Sequence, residues 1–353
     1  MPATELSPNA LSTMREGGVW VPSPLALDVD KNMLERWQRL LTLYYLRSGA
    51  RAVIPGAHTG EFAGGDLELY RRWLRLVRQM CQQHAGERTF LMAAVGGAHA
   101  REQAEIAADE EYDIVMVAPT AFSDAGNEEA IRVLRELATI IPVFGFELQQ
   151  AIPGSREFSS ELWDKVFEVA RGAKGASFDT YRAQRMLEAA ARSPHTDELV
   201  LATGNDDRIC ADLGGLFPFQ VDGEERVMTY DAGLCGHFAT DTRAAVRWVN
   251  AVIDHREGAE WSLPVSKPRL THMVNMCNGA LFDALNNFEN SVWGVKRRLT
   301  ALGLLPAPYC YHEAGRRGMH ARISRAYDAH PVLNDANFLR RTLDDMKREV
   351  GLR

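Results

Sequence analysis

Short apolar runs alternate with amphipathic stretches of helical period through the first two thirds of the chain, and that alternation limits the fold more than anything else in the sequence. Gly18-Val19-Trp20-Val21-Pro22 precedes a helical stretch over 31–47, and Ala52-Val53-Ile54-Pro55 precedes one over 66–84. The runs 90–95 and 113–118 precede helical stretches over 98–110 and 127–139. The fifth run, 142–148, leads into 160–170, and a sixth run at 172–178 into 181–191. Leu199-Val200-Leu201-Ala202-Thr203 is the seventh, and 233–238 is the eighth, with its helix over 242–255. Eight βα units within about 240 residues fit a closed (β/α)8 TIM barrel. An open doubly wound sheet is the alternative, but no G-x-G-x-x-G follows the first run.

Three segments fall outside this rhythm. Residues 1–16 read as a polar N-terminal tail with no signal peptide, ahead of a barrel over 17–260. Residues 205–232, with Asp206-Asp207 and the charged run Asp222-Gly223-Glu224-Glu225-Arg226, read as an enlarged loop or small hairpin. Residues 261–353 form a C-terminal helical region, with helices expected over 271–302, 315–327 and 334–350, packed outside the barrel or against another subunit.

The balance of 40 basic and 47 acidic side chains, a net charge of -7, carries no nucleic-acid footprint. No apolar stretch reaches membrane-spanning length, so a cytoplasmic location is expected. The five cysteines are far apart and lack C-x-x-C spacing, which predicts reduced thiols rather than disulfides or a zinc site.

Barrel chemistry gathers at the C-terminal ends of strands. Lys174, in Gly172-Ala173-Lys174-Gly175-Ala176, points an amine into apolar surroundings that favour its neutral, nucleophilic form; a lysine reaching solvent from a strand end is the ordinary alternative. The loop Gly56-Ala57-His58-Thr59-Gly60-Glu61-Phe62 offers an anion site or simply a turn. Glu147, between aromatic residues, is a candidate acid or base or an arginine's partner. His237 reads as a packed histidine, and Asn205, Asp206 and Asp207 as a turn. A metal site built from His58, Glu147, Asp206 and His237 is a further possibility, without supporting ligand spacing.

Taken in order, these segments resemble the dihydrodipicolinate synthase and N-acetylneuraminate lyase family of class I aldolases. The family's G-T-T-G-E loop is similar to Ala57-His58-Thr59-Gly60-Glu61, and its G-I-K-E-A strand to Gly172-Ala173-Lys174-Gly175-Ala176, with Asp179 following. Its S-G-D-D is similar to Thr203-Gly204-Asn205-Asp206, its G-A-x-G-x-I-S to 233–239, and its late P-V-K to Gly294-Val295-Lys296, with Gly303 beyond. The resemblance covers 17–310. It implies a Schiff-base lyase in which Lys174 condenses with pyruvate or a related 2-oxo acid, with no cofactor beyond that covalent imine. His58 and Thr59 would hold the carboxylate, and the backbone at Phe238 would line the pocket. A homo-oligomer, dimer or tetramer, is also implied.

Three departures qualify this. Phe146 stands where the family has a proton-relaying tyrosine, so that role would pass to His58, Glu147 or Tyr309, or the barrel binds a small carboxylic acid without turning it over. His58 replaces a threonine and is able to carry charge. Gly175 stands where many members have an acid.

Overall fold

The computed structural model describes residues 4–352. Eight parallel strands form a nearly closed (β/α)8 barrel: β1 (Gly18–Pro22), β2 (Ala52–Ile54), β3 (Met92–Val95), β4 (Ile114–Val117), β5 (Val143–Leu148), β6 (Gly172–Ala176), β7 (Val200–Thr203) and, after a two-stranded hairpin of β8 (Phe217–Val221) and β9 (Glu224–Met228), the short β10 (Ala232–Gly233). Between β2 and β3 no regular ladder forms, but Ala94 N donates to the Pro55 carbonyl at 2.9 Å across the seam. Gly56 makes that approach possible: its φ is +80°, and a Cβ there would lie 2.5 Å from the Ala94 carbonyl oxygen.

A two-residue period sorts the side chains between two cores. Trp20, Ile114, Met116, Phe144, Phe146 and Leu148 fill the barrel, while Val19, Val21, Val115, Val117 and Val143 pack under the surrounding helices. The N-terminal stretch is helical, α1 (Pro8–Arg15), with Ser7 as its cap. It lays Ala10 and Met14 into the same cluster as Trp20 and Phe90, closing that end with apolar side chains.

The outer ring comprises α2 (Glu35–Ser48), α3 (Leu67–His84), α4 (Ala100–Asp109), α5 (Asn127–Ala138), α6 (Ser160–Phe167), α7 (Thr180–Arg192), the short α8 (Ile209–Leu213) and α9 (Thr242–Arg256). Asp66 caps α3, and Asp179 caps α7 by accepting from the N–H groups of Tyr181 and Arg182.

The eighth strand is shorter than its apolar run predicts. After Gly233 the chain turns into a 3-10 segment, Gly236–Ala239, because the Asp206 carboxylate takes the N–H groups of Gly236 (3.2 Å) and His237 (3.1 Å).

The late helices are α10 (Lys267–Leu281), α11 (Ser291–Ala301), α12 (Met319–Asp328) and α13 (Ala336–Glu349). The single helical stretch expected over 271–302 is two helices, broken where Asp283, Asn287 and Phe288 adopt positive φ. α10, α11 and α12 pack together, α11 lies on the 3-10 segment His58–Gly65, and α13 packs on α2. Asp335, just before α13, caps α9: its carboxylate accepts from Arg243 N and Ala244 N at 2.8 Å each, and from the Tyr44 hydroxyl at 2.6 Å.

Candidate active site

At the C-terminal end of the barrel the strand tips and the late helices enclose a cleft of about 570 Å³, its open mouth included. β6 delivers Lys174 into it. The side chain is 7% exposed, and Nζ sits 4.3 Å from the centroid of the Phe146 ring, its neighbour in register on β5. The chain passes so close to Gly204 that a Cβ there would fall 2.2 Å from Lys174 Cε. Among the described residues Lys174 has no hydrogen-bond or ion-pair partner. Burial lowers its pKa to about 8, against smaller opposing pulls from Cys235 and Asp206.

His58 and Thr59 also line the cleft. Burial, with the Lys174 charge added, pushes His58 down to about 4, so the imidazole that its sequence position allowed to be cationic is neutral and keeps one N–H to donate. Thr59 is buried, and its hydroxyl donates to the Pro22 carbonyl at 2.7 Å, leaving its oxygen as an acceptor. Two residues on, Glu61 receives Lys296 Nζ at 2.6 Å and Tyr311 N at 2.6 Å. The loop that carries His58 is thereby bolted to α11, joining the loop motif to the late Gly294-Val295-Lys296 motif.

Asp206, read from the sequence as a turn residue or a possible metal ligand, lines the cleft. It is buried on the wall shared with Lys174 and Gly236, and burial pushes its carboxyl up to about 7 despite the two N–H groups it accepts and the pull of Lys174. The signal was present, since the match to S-G-D-D ends on this residue. Asn205 lies behind it, bonded to the buried Asp212 (2.9 Å) and accepting Phe178 N at 3.0 Å. The rest of the lining includes Gln149, Ile152, Phe178, Phe282, Phe288, Ser291 and Val292.

Glu147 is not brought to this cleft. With Phe146 and Leu148 pointing into the barrel, the strand period turns Glu147 outward beneath the helices. Its Oε1 accepts Phe158 N at 3.1 Å while Oε2 has no partner, and burial raises its pKa to about 7. Phe238 is also displaced from its expected place. It sits in the 3-10 segment with its ring against Trp248, and Gly236 lines the cleft instead. Tyr309 stands outside the cleft, giving its carbonyl to Lys296.

His237 is a packed residue. Asn278 donates its amide to the Asp206 carbonyl (2.6 Å), so its oxygen accepts, and the proton of His237 sits on Nδ1, 2.6 Å away. Burial lowers the His237 pKa. Among the described residues no group of three or more His, Cys, Asp or Glu is gathered to hold a metal ion, all five cysteines are unpaired, and no helix is long and apolar enough to cross a membrane.

No family model matches the sequence, and no curated protein matches it. Solved structures do. The dihydrodipicolinate synthase of Acinetobacter baumannii complexed with pyruvate superposes with a TM-score of 0.71 at 14% identity, over 90% of this chain and 99% of that one. The N-acetylneuraminate lyase of Mycoplasma synoviae gives 0.67 at 14% identity, over 89% and 98%. The chain has the fold of these enzymes. A 2-keto-3-deoxygluconate aldolase variant from Sulfolobus solfataricus shares it too, with a TM-score of 0.65 at 10% identity over 94% of this chain and 98% of that one.

Proposed function

We propose that the protein is a carbon–carbon or carbon–oxygen lyase that forms an imine between Lys174 and pyruvate or a related 2-oxo acid. The observation that carries this is the Lys174 amine, buried at the strand end, free of any acceptor among the described residues and lowered to about 8. A fraction of it is uncharged at neutral pH, as attack on a ketone requires.

In the aldol direction of cleavage, the amine adds to the ketone carbon of a 4-hydroxy-2-oxo acid and water leaves, giving an iminium. A base takes the proton of the 4-hydroxyl, the carbon–carbon bond beyond the ketone's neighbour breaks, and its electron pair passes into the iminium as an enamine while an aldehyde departs. The enamine carbon takes up a proton, and water hydrolyses the regenerated iminium, freeing pyruvate and Lys174. Asp206 is the cleft carboxyl with a pKa, about 7, suited to taking and returning that proton. The neutral His58 imidazole, with the loop that Glu61 and Lys296 hold, faces the substrate carboxylate. Phe146 gives the imine carbon a dry, apolar neighbour. No cofactor takes part beyond the covalent bond. The same reading carries a cytoplasmic homo-oligomer, whose assembly sedimentation would measure.

Incubation with pyruvate and borohydride is expected to add to Lys174 the mass of pyruvate less one oxygen. The absence of any adduct with a panel of 2-oxo acids would remove the proposal. One observation favours a second reading, in which the barrel binds a small carboxylic acid without turnover: Phe146 offers no hydroxyl beside Nζ. Trapping without product formation from any 4-hydroxy-2-oxo acid would select it.

A further inference from the structure

We infer that the part of the substrate beyond the ketone is an uncharged aryl group, received among Phe178, Phe282 and Phe288. This deepens the proposed imine chemistry and rests on it for the ketone end alone.

The cleft is divided by its chemistry. Most of its polar groups, His58, Thr59, Gln149, Lys174 and Asp206, come from the barrel, whereas Phe282, Phe288 and Val292 come from the segment that joins α10 to α11 and from the start of α11, which adds one polar side chain, Ser291. Phe178, after β6, meets Phe288 edge to face with ring centroids 5.4 Å apart. Aromatic rings adopt that arrangement with one another and offer it to a third ring. A second, open cavity of about 410 Å³, its mouth included, shares Phe178, Asp206, Phe282 and Phe288 with the first, so the three phenylalanines border both spaces. A group seated in either space meets aromatic side chains.

The two aromatic walls are held in place against backbone preference. Phe178 has φ of 55° and Phe288 has φ of 61°. Bulky L-residues avoid that region, and those found there persist where the surroundings over-determine them. Phe178 N is fixed by Asn205. Phe288 N donates to the Asp283 carbonyl at 3.3 Å, and the Asp283 carboxylate is itself clamped by Asn286, Asn290, Arg316 and Arg322. Four donors on one carboxylate rigidify the loop that presents the ring.

Charge excludes the alternative substrates. Lys174 is the one arginine or lysine lining either cavity among the described residues, and it is committed to the ketone. The far cavity carries Asp206 and Asp207 instead, so a second carboxylate on the substrate would meet two acids and no cation.

2-Oxo-4-phenylbutanoate and 2-oxoglutarate differ only in ending on a phenyl ring or a carboxylate, and calorimetric titration of the wild-type protein with each reads the cleft directly. The phenyl ligand is expected to bind on the order of 100-fold more tightly. Phe288→Ala is expected to reduce that ratio below about 10 through the phenyl ligand alone. Phe178→Ala serves as the second variant should Phe288→Ala not fold, and is expected to act in the same direction. Equal or tighter binding of 2-oxoglutarate, no measurable binding of the phenyl ligand, or a ratio unmoved by both variants would overturn the inference. The titration reads the far end whether or not an imine forms, and borohydride trapping with pyruvate reads the imine whatever the far end prefers, so the two failures are distinct.

Discussion

Two lysines are buried at the same end of this barrel, and their surroundings give the same amine opposite fates. Lys296, on α11, is fully covered, with Glu61 at 2.6 Å and the Tyr309 carbonyl at 2.8 Å. Lys174, on β6, is 7% exposed and faces the Phe146 ring. A buried amine with acceptors ties two elements together; one without them is driven toward the neutral base. The difference between the two amines is therefore set by their neighbours rather than by burial itself.

The most severe way to test this contrast is Lys174→Arg, which keeps a cation but cannot form an imine; trapping with pyruvate and borohydride should vanish by mass spectrometry. An adduct that moved to Lys296 would break the comparison. Next in size is Lys296→Met, which strands Glu61 and should cost about 3–5 kcal/mol in urea denaturation.

Lys174→Met should instead stabilise the fold, by up to about 3 kcal/mol at pH 7, because the folded pKa drops from 10.5 to about 8. Between those values the unfolded chain binds the extra proton, so wild-type stability rises with pH there and the advantage of the methionine shrinks. A pH-independent difference would contradict the neutral-amine account. Glu147, buried without a partner for one oxygen, sharpens the contrast with the sign reversed. Its pKa rises from 4.5 to about 7 on folding, so across that window the folded state holds the proton and wild-type stability falls as pH rises. Glu147→Gln should thus stabilise the fold at pH 8 by up to about 3 kcal/mol, read as a raised melting temperature, and change it little at pH 4. The smallest effect is expected from Gly204→Ala, whose Cβ meets Lys174 Cε at 2.2 Å. It should cost about 1–3 kcal/mol and slow trapping roughly 10-fold, measured by timed quench.

The barrel was legible because strand and helix periods are written locally, and the motif order picked out Lys174, His58 and Thr59, which line one cleft, and Phe146, a barrel-core ring beside Lys174 Nζ. Glu147 was misplaced although the information was at hand: residues of one parity on β5 point inward, and Glu147 has the other. Phe238 and the end of the eighth strand were not legible, since they depend on Asp206 capturing two N–H groups far along the chain. Asp206 itself looked like a turn because its burial comes from elements distant in sequence. The aromatic wall at Phe282 and Phe288 was hidden for the same reason; its helical surroundings read as one long helix, and only the Asp283 clamp reveals the break.

That wall, with the Lys296 bolt, is contributed by the final quarter of the chain, so the enclosure of Lys174 depends on residues far beyond the strand that carries it. Without α10 and α11 the well over Lys174 would lie open to water, and the burial that lowers its pKa would be lost.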